Sequence, residues 1–188
     1  AGRRAARREG ERAPEAEMAA GLGRRAAAAA LALVLTGAVG AAAEGPARGP
    51  ETGLPLPRYV SLKASEANVR RGPGRSHRVD WVFVRRGMPL QIIGEYGRWR
   101  RVRDMDGATG WVYHALLQGN RTAVVTAETL ELRAAPEAQA PITARAERGV
   151  VLEIEACGRA WCALSSGGVE GWAPKAAIWG AGPEEVFD

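Results

Sequence analysis

Cys157 and Cys162 are the only cysteines of the chain, and Gly158-Arg159-Ala160-Trp161 between them has the composition of a hairpin tip. In an oxidising compartment, two thiols placed across a tight hairpin pair as a disulfide. A redox-active pair is the alternative, but it calls for Cys-x-x-Cys spacing at a helix start, and neither feature is present. A metal site needs further ligands, and the two histidines, His77 and His114, lie in a different part of the chain. His114 follows Gly110-Trp111-Val112-Tyr113 with no nucleophile beside it, so a polar residue on a short helical turn is expected rather than a general base. Asp104 and Asp106 resemble a carboxylate pair, yet Gly107 beside them marks a turn. This inventory leaves no catalytic constellation. A non-catalytic protein without metal or cofactor is expected.

The residues better suited to function are aromatic and basic. Tyr59, Trp81, Tyr96, Trp99, Trp111 and Tyr113 alternate along the chain with Arg70, Arg71, Arg75, Arg78, Arg98 and Arg100. Aromatics supply flat contact area at small entropy cost, and guanidinium groups pair with carboxylates. The candidate ligand-binding set is Tyr113, Trp99, Arg70, Arg71 and Arg75, with the segment from Arg71 to Asp80 as one wall of a groove for an extended ligand. Trp99 fits a core or a groove equally well. The competing reading of the arginines is a solvated basic face that binds nothing specific.

These residues sit in a sequence that repeats itself. Ala67-Asn68-Val69-Arg70-Arg71-Gly72-Pro73 returns as Leu130-Glu131-Leu132-Arg133-Ala134-Ala135-Pro136, Arg86-Gly87 as Arg148-Gly149, and Gly110-Trp111-Val112 as Gly171-Trp172-Ala173, at offsets of 63, 62 and 61. A period of that length matches two copies of one small domain rather than a solenoid. Within each copy, short apolar runs such as Trp81 to Val84, Leu90 to Ile93 and Trp99 to Val102 alternate with Gly-containing turns. That pattern predicts hairpin-connected strands. Short strands with one apolar face protect their edges by curling, so the expected fold class is all-β: two tandem small β-barrels. Short helical turns are expected at His114 to Leu117 and Lys175 to Ile178.

The expected domains are 58–118 and 121–180, followed by a tail at 181–188. Ahead of them, Glu44 to Pro57 holds Pro46, Pro50, Pro55 and Pro57 and reads as a flexible linker. Earlier still, Arg24-Arg25, the uncharged run Ala26 to Val39 and Ala41-Ala42-Ala43 form the three parts of a signal peptide over 18–43, cleaved after Ala43. The run is too alanine-rich for a strong membrane anchor, and no cysteine near the cleavage site supports a lipoprotein. Met18 is the favoured start, with 1–17 a non-native or disordered extension. A periplasmic or secreted protein follows, without a stable membrane anchor after cleavage. The formal net charge is +5, but it is unevenly spread. Tyr59 to Gln118 carries 11 basic and 5 acidic residues, whereas Arg121 to Gly180 carries 6 and 7. The asymmetry directs an anionic partner to the first copy.

The run Asn68-Val69-Arg70-Arg71-Gly72-Pro73, a central Gly before a strand, a Trp at the next strand and the closing Gly110-Trp111-Val112-Tyr113 resemble the bacterial SH3-like (SH3b) domain family. The resemblance spans about 59–180; the second copy lacks the Asn and Gly but keeps Gly171-Trp172. It implies small exported β-barrels, often appended to cell-wall enzymes, and a chiefly structural Trp111. It also implies a partner in cell-wall peptide, glycan or protein. The expected function is an exported binding module for a cell-envelope component such as a peptidoglycan stem peptide or a similar anionic ligand. The alternative is a structural protein whose repeats dock on another periplasmic protein. Nucleic-acid binding is disfavoured by the export signal and by the absence of a lysine patch.

Overall fold

The computed structural model describes residues 47–188. The expected extension at 1–17, the signal peptide and its cleavage site, and residues 44–46 of the linker lie outside the described residues. The first sheet contains β1 (Arg58–Leu62), β2 (Ala67–Arg70), β3 (Val79–Phe83), β4 (Pro89–Tyr96), β5 (Trp99–Arg103), β6 (Thr109–Tyr113) and β7 (Leu117–Gln118). The second contains β8 (Thr122–Val125), β9 (Thr129–Arg133), β10 (Ile142–Glu147), β11 (Val151–Cys157), β12 (Trp161–Ser166), β13 (Val169–Pro174) and β14 (Ile178–Trp179). Each has seven strands in equivalent order, β3-β2-β6-β5-β4-β1-β7 and β10-β9-β13-β12-β11-β8-β14. Single 3-10 turns at His114–Leu116 and Lys175–Ala177 precede the last short strand of each copy.

The fold is therefore all-β and tandem, as the turn chemistry predicts. The expectation of barrels needs one correction. Neither sheet closes on itself, because β3 and β7, and likewise β10 and β14, remain edges. The last strand of each copy has only two residues and pairs on one side, too little ladder to seal the seam. Each sheet still wraps one core. Leu62, Ala67, Val69, Phe83, Leu90, Ile92, Val102 and Val112 come from six strands of one sheet and form a single cluster, which requires strong curvature. Leu130, Leu132, Leu152, Ile154, Leu164 and Ala173 build the second core from equivalent positions.

The Gly-Trp signature has a steric cause. Gly110 crosses β2 so closely that a Cβ there would overlap Val69 Cγ1, and at Gly171 a Cβ would lie 2.7 Å from Thr143 Oγ1 and 2.8 Å from Leu132 Cβ. Each glycine lets β6 or β13 approach the neighbouring strand more closely than a side chain would allow.

A repeated irregularity reverses the side-chain alternation late in each long strand. The ladder slips between Ile92 and Gly94 in β4 and between Ile154 and Ala156 in β11. Ile92 pairs with Val102 in the core, and after the slip the pair Glu95 and Arg100 faces inward instead of outward. The equivalent inward pair in the second copy is Cys157 and Cys162. Repeat one thus places an ion pair where repeat two places a disulfide. The Cys157–Cys162 bridge is formed, with Cα atoms 4.1 Å apart across the β11–β12 hairpin. Breaking it with reductant is expected to lower unfolding free energy by about 2 kcal/mol, the chain-entropy value for so short a loop. Urea midpoints with and without reductant measure this, and identical midpoints would refute it.

Both terminal segments, residues 47–57 of the expected flexible linker and the tail at 181–188, dock on these inward pairs. Residues 47–57 fold back through an Arg48–Pro55 bridge, and the Glu95 carboxylate caps the turn. Its Oε2 accepts from the Glu51 and Thr52 amides at 3.0 Å each, and its Oε1 accepts from Thr52 Oγ1 at 2.7 Å and from Arg58 Nη2 at 2.7 Å. Arg100 Nε lies 3.5 Å from the same carboxylate. Burial pushes the Glu95 carboxyl up, but the Thr52 and Arg58 hydrogen bonds outweigh it and bring the pKa down to about 2. At the other end, Phe187 pairs with Cys157 through Cys157 N to Phe187 O at 2.7 Å and Phe187 N to Cys157 O at 3.0 Å. Arg121, the counterpart of Arg58, forks onto Glu185 at 2.5 and 2.8 Å and stacks over Phe187 at 4.5 Å. Lys175 Nζ donates to the Glu185 carbonyl at 2.6 Å. Composition could not show this, because each terminal segment is held by groups far away in sequence, Glu95 at one end and Cys157 and Arg121 at the other.

The two copies also contact each other. Thr122 Oγ1 donates to the Gly87 carbonyl at 2.7 Å, Arg85 Nη1 to the Gly149 carbonyl at 2.6 Å, and Tyr59 meets Trp179 edge to face at 5.2 Å. Burial, aided by the Glu185 carboxylate, raises the Tyr59 phenol above its ordinary range despite the nearby Arg121 and Arg103.

Candidate ligand-binding face of the first repeat

Alternation along β5 and β6 sorts the candidate residues onto two faces. Val102 and Val112 face the core, so Trp99, Arg101 and Arg103 on β5 and Thr109, Trp111 and Tyr113 on β6 share the outer face. Three cross-strand rungs result: Trp99 opposite Tyr113, Arg101 opposite Trp111, and Arg103 opposite Thr109. Trp99 and Tyr113 meet edge to face at 5.6 Å, and His114 abuts Tyr113 at 4.9 Å. All three large aromatics are half-buried, leaving ring surface open to solvent. The structure brings Trp99 and Tyr113 together. It places Trp111 on the outer face too, beside Arg70 of β2.

The arginines divide by role. Arg70 Nη1 donates to the carbonyls of Arg75 at 2.9 Å and His77 at 2.7 Å, closing the loop between β2 and β3. Arg133 does the same in the second copy, to Ala140 at 2.8 Å. Arg70 is thus a loop-positioning residue. Arg71 lies 3.6 Å from Asp80, which Arg78 already grips through Nε at 2.9 Å and Nη2 at 2.7 Å. The Arg78 hydrogen bonds, together with Arg71, hold the Asp80 carboxyl below its ordinary range. Arg75 is exposed, and among the described residues its guanidinium has no partner. Arg101 and Arg103, absent from the sequence-based set, also make no ion pair among the described residues and flank the aromatics directly. The signal for them was present: period-two spacing places them beside Trp99.

The remaining candidates have structural explanations. Asp104 Oδ1 accepts from the Asp106 amide at 3.1 Å and the Ala108 amide at 2.8 Å, organising the β5–β6 turn. His114 is exposed on its 3-10 turn. Among the described residues no group of three or more His, Cys, Asp or Glu is arranged to hold a metal.

The second copy presents a different surface at the same rungs: Trp161 opposite Pro174, Ala163 opposite Trp172, and Ser165 opposite Glu170. Both basic positions of repeat one have become neutral, and a carboxylate has entered. Geometry and fold together define a tandem, all-β module with an aromatic and basic face on one copy. The chain belongs to the bacterial SH3 domain family, whose model matches residues 63–119 and 126–180. That membership points, in general terms, to a cell-wall-related binding module. No curated protein matches the chain in sequence. Among solved structures it is similar to NlpC2 from Trichomonas vaginalis at 12% identity, covering 65% of this chain and 48% of that one with a TM-score of 0.32. NlpC1 from the same organism is 12% identical over 71% and 51%, with a TM-score of 0.32. An NlpC/P60 family protein from Bacillus cereus ATCC 10987 is 13% identical over 64% and 55%, with a TM-score of 0.30. The chain spans about half the length of these structures.

Proposed function

We propose that this chain is an exported, non-catalytic binding module that recognises an anionic component of the cell envelope, of the peptidoglycan stem-peptide kind, through the outer face of its first repeat. The observation that carries the reading is the difference between equivalent rungs: Trp99, Tyr113, Trp111, Arg101 and Arg103 against Trp161, Pro174, Trp172, Ala163 and Ser165. Aromatic rings offer rigid area for sugar or peptide backbone, and the guanidinium groups of Arg101 and Arg103, which make no ion pair among the described residues, favour carboxylates. Arg70 supports the face by fixing the adjoining loop, along which Arg71 and Arg75 extend the positive potential. The signal peptide read at 18–43 supports export to the periplasm or beyond.

Co-sedimentation of the full-length chain with purified peptidoglycan sacculi tests the reading. Binding is expected to persist at physiological salt and to fall about tenfold or more with Tyr113→Ala, the usual consequence of truncating a central aromatic. Arg101→Gln/Arg103→Gln should weaken binding most at low salt, where steering by charge is strongest. Sacculi that bind neither at low nor at physiological salt would overturn it and favour a periplasmic protein as partner.

A further inference from the structure

The second candidate site is a cleft that exists only because two copies are docked. It is a half-open cleft of about 560 Å³, within the size range of small-ligand sites. Repeat one contributes Arg85 and Arg86 from its β3–β4 turn, and repeat two contributes Glu153 of β11, Glu170 of β13 and the β12–β13 turn at Gly167 and Gly168. Thr122 and Leu152 also line it. The backbone of its walls is tied across the two copies by the Thr122 to Gly87 and Arg85 to Gly149 hydrogen bonds, which leaves the ordering of the charged side chains as the main entropic cost of binding.

The charges of this cleft are unspent. Arg85 is committed to the Gly149 carbonyl, but the Arg86 guanidinium and the Glu153 and Glu170 carboxylates have no ion-pair or hydrogen-bond partner among the described residues. Opposite charges that line one cleft and do not neutralise each other leave a gap suited to a molecule with both signs. We propose that the cleft binds a short zwitterionic peptide, its carboxylate toward Arg86 and its ammonium group toward Glu153 and Glu170. The site is separate from the Trp99 and Tyr113 face and stands or falls independently of it.

Nuclear magnetic resonance titration of the full-length, disulfide-intact protein tests this with trialanine, N-acetyl-trialanine and trialanine amide. Trialanine should shift the Gly167 and Gly168 amides saturably. Blocking either terminus should weaken binding about fivefold, the scale of one partly solvated ion pair. Arg86→Gln should abolish the preference for a free carboxylate while keeping that for a free amine, and Glu153→Gln/Glu170→Gln should do the reverse, a cycle that assigns each end to its wall. All three variant sites are exposed, so the fold survives these changes. Absence of saturable shifts, or equal affinity for the three peptides, would overturn the proposal. Tyr113→Ala leaves this titration unchanged, which separates its outcome from that of the sacculus experiment.

Discussion

Glu95→Gln is expected to lower the unfolding free energy at neutral pH by roughly 3 kcal/mol and to flatten the acid limb of the stability curve. The Glu95 side chain is fully buried, and its pKa falls from 4.5 to about 2 on folding. At 1.36 kcal/mol per pKa unit, that drop corresponds to the stated magnitude. Because the folded-state value is the lower one, the contribution is complete above pH 4.5 and disappears as pH falls through about 2. Glu185 has a lowered pKa as well, since its Arg121 fork and the Gly182 amide outweigh burial, and it adds to the same acid limb. The difference between wild type and Glu95→Gln isolates the Glu95 share. Chemical unfolding at a series of pH values between 2 and 7 supplies the measurement. Parallel curves for the two proteins would show that the carboxylate does not secure the 47–57 turn. Glutamine keeps the shape but turns one acceptor oxygen into a donor that faces either the two amides or Thr52 and Arg58, so the loss reports the charge and those acceptor bonds rather than a cavity.

The second large effect concerns the glycines of the repeat signature. Gly110→Ala and Gly171→Ala are each expected to cost about 2 to 3 kcal/mol, the upper range for forcing one extra methyl into a packed interior. In a chain of this size that corresponds to a Tm lower by roughly 10 °C. At Gly110 the obstacle is the β-branched Val69, whose rotamer is stiff, with the Arg70 carbonyl 3.2 Å away behind it. At Gly171 the obstacle is Leu132 Cβ at 2.8 Å, which no side-chain rotation can move, and the Arg133 amide at 3.2 Å. Gly171→Ala should therefore be the costlier of the two. Calorimetric scans decide it: an unchanged Tm in either variant would mean that the neighbouring strands part without strain. The tight crossing also aligns Arg70 with Trp111, so Gly110→Ala should weaken sacculus binding in addition to stability.

Much of the architecture is legible in the chain because its cues are local. Turn glycines at 87, 97 and 107 sit where strands reverse, and all three adopt positive φ. The period of about 62 residues marks two domains. The Cys157 to Cys162 spacing across a hairpin tip points to the cross-hairpin bridge that the fold contains. The pairing of Trp99 with Tyr113 was only half legible: both were candidates, but their registry depends on how β5 aligns with β6. Arg70 illustrates the opposite case. Its type and place in the loop motif suited a ligand, whereas its hydrogen bonds to the Arg75 and His77 carbonyls commit it to loop geometry.

The all-β class, the duplication, the strand and turn sites, and the divergence in charge between copies each follow from residues close together in the chain. Long-range packing sets the remainder: Glu95 and Arg100 take the place of Cys157 and Cys162, both terminal segments dock, and a cleft opens between the repeats. A single slip in the β4 ladder sets which face Glu95 occupies, and one residue of register inverts every side chain beyond it. Its partners at Glu51, Thr52 and Arg58 lie far away in sequence, so only the folded sheet brings them to the carboxylate.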